Sequence, residues 1–239
     1  MILTIQYLIV LLINKTTSVI MKVSTACIVL AYAGNAVEHA QAFSFTQQVK
    51  TFSALNVRAT STKSSTSLEM STGLYYSTST GNTETVSGYI AEAAGLSAED
   101  IGDATDDEIN GHDSLIVGAP TWHTGADEQR SGTSWDDWLY DTLPNLDVSG
   151  KKVAVFGVGD QASYSDNYCD AAGELYDLFT AAGAKVYGMT SIDGYDHEES
   201  KAVVDGKFVG LMCDEDNQYE LSEGRCKAWI DQLKSEGFF

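Results

Sequence analysis

A doubly wound α/β sheet is the fold that this sequence predicts, and three observations predict it. Short apolar runs suited to parallel strands covered on both faces occur at residues 74–76, 114–118 and 153–157. Helical periodicity separates and follows them, over about 83–94, 135–143, 170–182 and 225–235, and a further strand is expected near 185–189. The second and third strands run directly into Gly or Pro, where ligand loops follow, and ligands of such sheets sit in the crevice at the carboxyl ends of the strands.

The first of these strand ends carries the strongest functional signal. Leu74, Tyr75 and Tyr76 lead into Ser77, Thr78, Ser79, Thr80, Gly81, Asn82 and Thr83, and Val86, Ile90, Ala93 and Ala94 then recur at helical spacing. A helix N-terminus offers unpaired N–H groups to an anion, five hydroxyls add donors, and Gly81 lets the backbone come close. With no Lys or Arg in the loop, a nucleotidase P-loop does not fit, and a monophosphate held by neutral donors does. An ordinary Ser/Thr-rich turn capping a helix would carry the same residues, so the stretch alone leaves both readings open.

Residues 1–70 read as targeting sequence rather than fold. Lys22, an apolar run over 23–33 and the small residues Ala40-Gln41-Ala42 have the layout of a signal peptide ending before Phe43. Residues 43–70 are rich in Ser and Thr, carry Lys50, Arg58 and Lys63, and hold one acid, Glu69, which is transit-peptide composition. Together, 1–42 and 43–70 resemble the two-part presequence of proteins sent to complex plastids, as in diatoms, which implies the plastid stroma as destination. Residues 1–20 fit this layout less well, and Met21 is an alternative start. The apolar run at 2–13 is too short to span a bilayer comfortably.

Residues 71–239 then form one domain, large enough to bury its own core. They keep 32 of the 34 acids but only 9 of the 14 bases, a net charge of −23. That field disfavours nucleic acid and anionic membrane, argues against stable membrane insertion of the mature form, and steers toward basic protein partners; solubility alone would also explain it. Cys169, Cys213 and Cys226 are an odd set without close spacing, so neither a disulfide framework, a metal site nor a four-cysteine iron–sulfur cluster is indicated.

Two more loops fall on the same sheet edge. After 114–118 comes APTWHTGADEQRSGTSW, with Trp122 beyond the strand end; after 153–157 comes VGDQASYSDNYCDA, with Tyr164 at its middle. Each aromatic has a plain packing alternative. A phosphate cradle with two such rings nearby describes a sandwich for a planar heterocycle on a phosphate tail.

Here the sequence resembles the long-chain members of the flavodoxin family. STSTGNT, GAPTWHTGADEQRSGTSWDDWLYDTLP, VAVFGVGDQASYSDNYCDA and DGYDHEESKAVVDGKFVGLMCDEDNQ look like flavodoxin segments in family order, and the likeness covers essentially all of 72–239. The resemblance implies a flavodoxin-like five-stranded parallel sheet with helices on both faces and one non-covalent FMN. It implies that Ser77, Thr78, Ser79, Thr80, Gly81, Asn82 and Thr83 hold the phosphate, with Thr121 near the ribityl chain. Trp122 and Tyr164 would stack on the inner and outer faces of the ring. Backbone groups at Pro120, His123, Thr124, Gly125, Gly157, Gly159, Asp160 and Gln161, with Asn167 and Cys169, would meet its polar edge. His123 stands where the family usually has Asn. A charged imidazolium near the ring would make the potential depend on pH, but the plainer reading, backbone contacts only, is preferred.

The same resemblance implies a monomeric low-potential one-electron carrier rather than an enzyme. It would pass electrons from photosystem I to ferredoxin-NADP reductase and other ferredoxin-dependent enzymes, in place of ferredoxin under iron limitation, docking through acids such as Asp193, Asp196, Glu198, Glu199, Asp214, Glu215 and Asp216. The alternative is an NAD(P)H-dependent FMN or quinone reductase of the same fold, which needs room for nicotinamide where Tyr164 is expected. A receiver-type phosphoacceptor lacks its Asp cluster, and a nonredox FMN module stays open to a redox titration. A nucleophilic enzyme is disfavoured because His112, His123 and His197 show no Ser or Cys partner.

Overall fold

The computed structural model describes residues 71–122 and 126–239, so the presequence reading and the positions His123, Thr124 and Gly125 lie outside the described residues. The chain alternates strand and helix as expected. The main elements are β1 (Thr72–Tyr76), α1 (Asn82–Ala94), β2 (Ala98–Asp100), α2 (Asp106–Gly111), β3 (Ser114–Pro120), α3 (Trp135–Asp137), β4 (Lys152–Val158) and α4 (Asp170–Ala181). There follow β5 (Lys185–Tyr187), β6 (Thr190–Ser191), β7 (Val203–Val204), β8 (Lys207–Phe208), β9 (Leu211–Cys213) and α5 (Tyr219–Ser235). The parallel sheet runs β2-β1-β3-β4-β5, with β9 also paired to β4.

Period-two alternation divides the core between the two sheet faces. Leu115 and Val117 of β3 and Val153 and Val155 of β4 join Trp135, Trp138, Leu175 and Phe179 on one face. Ile116, Ala154 and Phe156 join Val86, Ile90, Trp229, Ile230 and Leu233 on the other. Phe156 can lie flat across the sheet because its neighbour on β3 is Gly118, where a Cβ would come within 2.1 Å of the ring.

The fifth strand position is split. β5 pairs with Lys152–Ala154 of β4 and β9 with Phe156–Val158, so two three-residue strands occupy successive halves of one sheet edge. Between them the chain leaves the sheet and builds the antiparallel sheet β6-β8-β7. The expected strand at 185–189 ends at Tyr187 because Gly188 takes a left-handed φ of 80° and its carbonyl accepts the Trp229 indole N–H at 2.7 Å. The chain re-enters at Gly210, where a Cβ would lie 1.8 Å from the Val155 carbonyl oxygen.

Two helices differ from their expected form. The segment predicted as one helix over 135–143 begins as α3, continues as a π-helical turn (Trp138–Thr142) and ends as a 3-10 turn (Leu143–Asn145). Pro144 at the start of that last turn explains why the α ladder does not run on. α5 starts six residues before the predicted Arg225, with buried Ser222 inside it. Also unforeseen were β2 and the six-residue α2, which has a capping box between Thr105 and Glu108.

Gly210→Ala should force the β9 backbone off β4. The expected loss is about 2–4 kcal/mol, seen as a fall of about 5–15 °C in thermal midpoint, whereas Gly224→Ala, inside α5 with nothing within 4 Å of its Cβ position, should cost nothing.

Candidate functional site

Three loops leave the carboxyl edge of the sheet side by side. The first, after β1, is fixed at its base by the Ser77 N–H donating to the Gly118 carbonyl at 3.3 Å. Gly81, at φ 93°, occupies the N-cap position of α1, and its N–H donates to Thr78 Oγ1 at 3.0 Å. The Thr85 N–H and hydroxyl both donate to the Gly81 carbonyl, leaving the first-turn N–H groups of α1 directed at the loop mouth. Thr83 is fully buried in that turn and its hydroxyl has no hydrogen-bond partner within the protein.

The second loop follows β3. Its start is fastened to β4 by the Thr121 N–H on the Val158 carbonyl at 2.9 Å, and to α4 by the Ala171 N–H on Thr121 Oγ1 at 2.9 Å. Trp122 follows with 41% of its surface exposed. The third loop follows β4, and a turn closed by the Tyr164 N–H on the Asp160 carbonyl at 3.0 Å raises Tyr164, 46% exposed.

Thr80, Asn82, Pro120, Thr121, Trp122, Gly159, Asp160 and Tyr164, all expected from the sequence, line one cavity of about 340 Å³ together with Val158 and Asp216. A neighbouring cavity of about 390 Å³ shares Thr121 and Trp122 but is otherwise rimmed by charge, including Asp127, Arg130, Asp166, Asp170 and Lys201. Only the first joins both aromatics to the hydroxyl-rich loop. Asn167 lines the second. Gly157 and Cys169 line neither: they pack beneath the loop, where a Cβ on Gly157 would meet Ala172, Met212 and Cys169. Cys169 is wholly buried at φ 54°, and burial pushes its thiol far up, so its side chain belongs to the core.

The acids at this edge serve two distinct roles. Asp214, expected on the docking surface, is instead fully buried. Its carboxylate accepts the Gln161, Asp216 and Asn217 N–H groups at 2.9–3.1 Å and the Asn217 side-chain amide, tying the end of β9 to the third loop. Burial alone would raise the Asp160 carboxyl, but the N–H groups of Ser163 and Ala162 and the Asn217 amide hold it below the usual range. Asp216 is pushed up, by burial and by the charges of Asp160 and Asp214. The long excursion between β5 and β9 braces the third loop as well. Glu198 and Glu199 N–H groups both reach the Ser165 carbonyl, Asp196 N–H reaches Gln161 Oε1, and Lys201 N–H reaches Asp170 Oδ1.

The flavodoxin family model matches residues 74–229. The chain belongs to the flavodoxin family. It is 45% identical over 170 residues to the flavodoxin of Synechococcus elongatus, covering 69% of this chain and 96% of that one. It is 46% identical over 168 residues to the flavodoxin of Synechocystis, covering 68% and 95%. Among solved structures, Fusobacterium nucleatum flavodoxin bound to flavin mononucleotide superposes with a TM-score of 0.63 at 32% identity, over 70% of this chain and 99% of that one. Flavodoxins are electron-transfer flavoproteins rather than enzymes, and the fold expected from the resemblance is the fold observed.

Val158 and Asp216 were missed as lining residues of this flavodoxin site. No local sequence motif marks either, because they reach the cavity through strand register and through the turn after β9. Asp216→Asn tests the electrostatics. A carboxyl with a raised folded pKa disfavours the folded state when ionised, and that cost is relieved as pH falls through the raised value. The variant should therefore melt higher than the parent at pH 7, with the difference gone near about pH 3, where both residues are neutral.

Proposed function

We propose that this protein is a low-potential one-electron carrier built on non-covalently bound FMN. One observation carries the reading: Trp122 and Tyr164 border the cavity onto which the phosphate-type loop opens through Thr80 and Asn82. The residues present suit that group. The N-terminus of α1, the left-handed Gly81 and the orphaned hydroxyl of buried Thr83 form a neutral cradle of donors for a phosphate. Half-exposed Trp122 and Tyr164 would cover the ring, and backbone groups of Gly159 and Asp160 would meet its edge.

When bound, FMN supplies two successive one-electron couples. The protein's part is to bind, to orient and to set the cost of negative charge. Asp160 and Asp216 line one end of the cavity, buried Asp214 lies behind them on the Gln161 N–H, and among the described residues no Lys or Arg lines it. A second electron would therefore add anionic charge beside existing anions, which makes the lower couple strongly reducing. Tyr164 over the outer face leaves no evident seat for nicotinamide, which disfavours the reductase reading.

The finer reading extends to partners and place. The protein would carry electrons from photosystem I to ferredoxin-NADP reductase and other ferredoxin-dependent enzymes, replacing ferredoxin when iron is scarce, as a monomer in the stroma of a complex plastid. Its support is the cyanobacterial origin of the two relatives named above, the composition of residues 1–70 and a net charge of −20 for the whole chain, suited to transient docking on basic faces. Among the described residues no helix is long and apolar enough to cross a membrane.

A reductive titration of the purified protein followed by absorbance checks this. Flavin peaks that pass through a stable one-electron stage, with no direct bleaching by NADPH, are expected. A colourless protein that takes up no FMN would sink the proposal, and two-electron bleaching by NADPH would favour the reductase. In the same titration Trp122→Ala should weaken FMN binding about 10- to 100-fold and raise the lower potential.

A further inference from the structure

Residues 129–132 form the return limb of the Trp122 loop, and the four successive N–H groups there are all held by two carboxylates from different elements. Glu174, on α4 and 5% exposed, accepts the Gln129 N–H on Oε1 at 2.7 Å and the Arg130 N–H on Oε2 at 3.0 Å. Asp136, on α3, accepts the Ser131 N–H on Oδ1 at 3.0 Å and the Gly132 N–H on Oδ2 at 2.9 Å. The Ser131 hydroxyl adds a bond to Asp136 Oδ1 at 2.6 Å, and the Tyr140 hydroxyl donates to Glu174 Oε1.

This limb is in direct contact with Trp122. The Trp122 N–H donates to the Arg130 carbonyl at 3.0 Å, and the N–H of that same peptide, from Ser131, is held by Asp136, so the peptide gripped by Asp136 also fixes the Trp122 backbone, with Glu174 holding the two peptides before it. Gly132 lies against the indole closely enough that a Cβ there would approach Trp122 Cδ1 to 3.2 Å. The limb does not take this shape by local preference. Gln129 has φ 61°, a conformation that side-chain-bearing residues adopt at a cost, and Gly132 has φ 63°. Bonds from N–H to carboxylate are charge-assisted and strong enough to impose such a path.

We propose that Glu174 and Asp136 are positioning residues that together hold the Trp122 wall of the cavity in its ring-covering place before any ligand arrives. This rests on the flavin reading above. Preorganising the wall lowers the ordering cost of binding, so its loss appears in affinity and in the mobility of the limb, leaving the sheet unchanged.

The test uses full-length protein carrying Glu174→Gln or Asp136→Asn. Each variant keeps side-chain volume but turns one acceptor into an NH₂ group facing a backbone N–H. Amide hydrogen exchange is followed in protein stripped of flavin, and FMN affinity is read by quenching of flavin fluorescence on binding. Exchange at Gln129 and Arg130 in Glu174→Gln, and at Ser131, Gly132 and Trp122 in Asp136→Asn, should quicken about tenfold or more, with FMN affinity falling about tenfold. Amides of β3 and β4 should exchange as in the parent. Tyr140→Phe, which leaves all four limb bonds in place, should bind FMN as the parent does.

Parental exchange and parental affinity in both variants would overturn the proposal. So would an equal quickening across limb and sheet, which would mark these carboxylates as general stabilisers. If the parent protein binds no FMN, the flavin reading fails by itself, while the exchange of the Trp122 amide still reports whether the two carboxylates hold the wall.

Discussion

The unbroken parallel pairing of β3 with β4 sets the geometry of the site. Seven register pairs, from Ser114 with Lys152 to Pro120 with Val158, bring the two strands to an end at the same height. The loops that follow must then start side by side, and the Thr121 N–H on the Val158 carbonyl fastens them at that point. β1 stops two residues earlier, at Tyr76 beside Gly118, so its loop and the N-terminus of α1 lie below the other two. A cavity with a donor-rich floor and two aromatic walls results from where three strands end.

Charge is handled in an unusual way for so acidic a chain. The ion pairs of Lys201 with Asp127 and of Lys234 with Asp231 are both solvent-exposed and of little energetic weight. The carboxylates that organise the site are instead satisfied by N–H groups: Asp160, Asp214, Asp136 and Glu174 each gather two or more. Such partners remove the desolvation cost without cancelling negative charge. The loops can therefore be rigid while the field around the cavity stays anionic.

How much of this could be read from residues alone follows from how local each signal is. Strand β3 and helix α1 declare themselves through contiguous apolar runs and helical period, and Trp122 and Tyr164 through their place just beyond strand ends. The split of the last strand was not readable, because β5 and β9 are three residues each and become one edge only through pairing with β4. Asp214 looked like another surface acid among its acidic neighbours, and only the turn that folds three backbone N–H groups onto it shows that it is buried. Glu174 escaped notice for the same reason: one of three acids in an otherwise ordinary amphipathic helix, it finds its partners 44 and 45 positions away in sequence. His123, the one departure from the family motif, lies outside the described residues.

The interrupted sheet edge has a further effect on the solubility of the molecule. A long free edge offers a row of unpaired N–H and C=O groups that another chain can extend. Here one outer strand is the three-residue β2, and the opposite border is divided into two three-residue pieces separated by a chain that departs and returns. Neither border presents a run long enough to template a neighbour. The excursion that braces the third loop thus also shields the sheet against edge-to-edge growth, a safeguard that acts by geometry and so persists at salt concentrations that screen the surface acids.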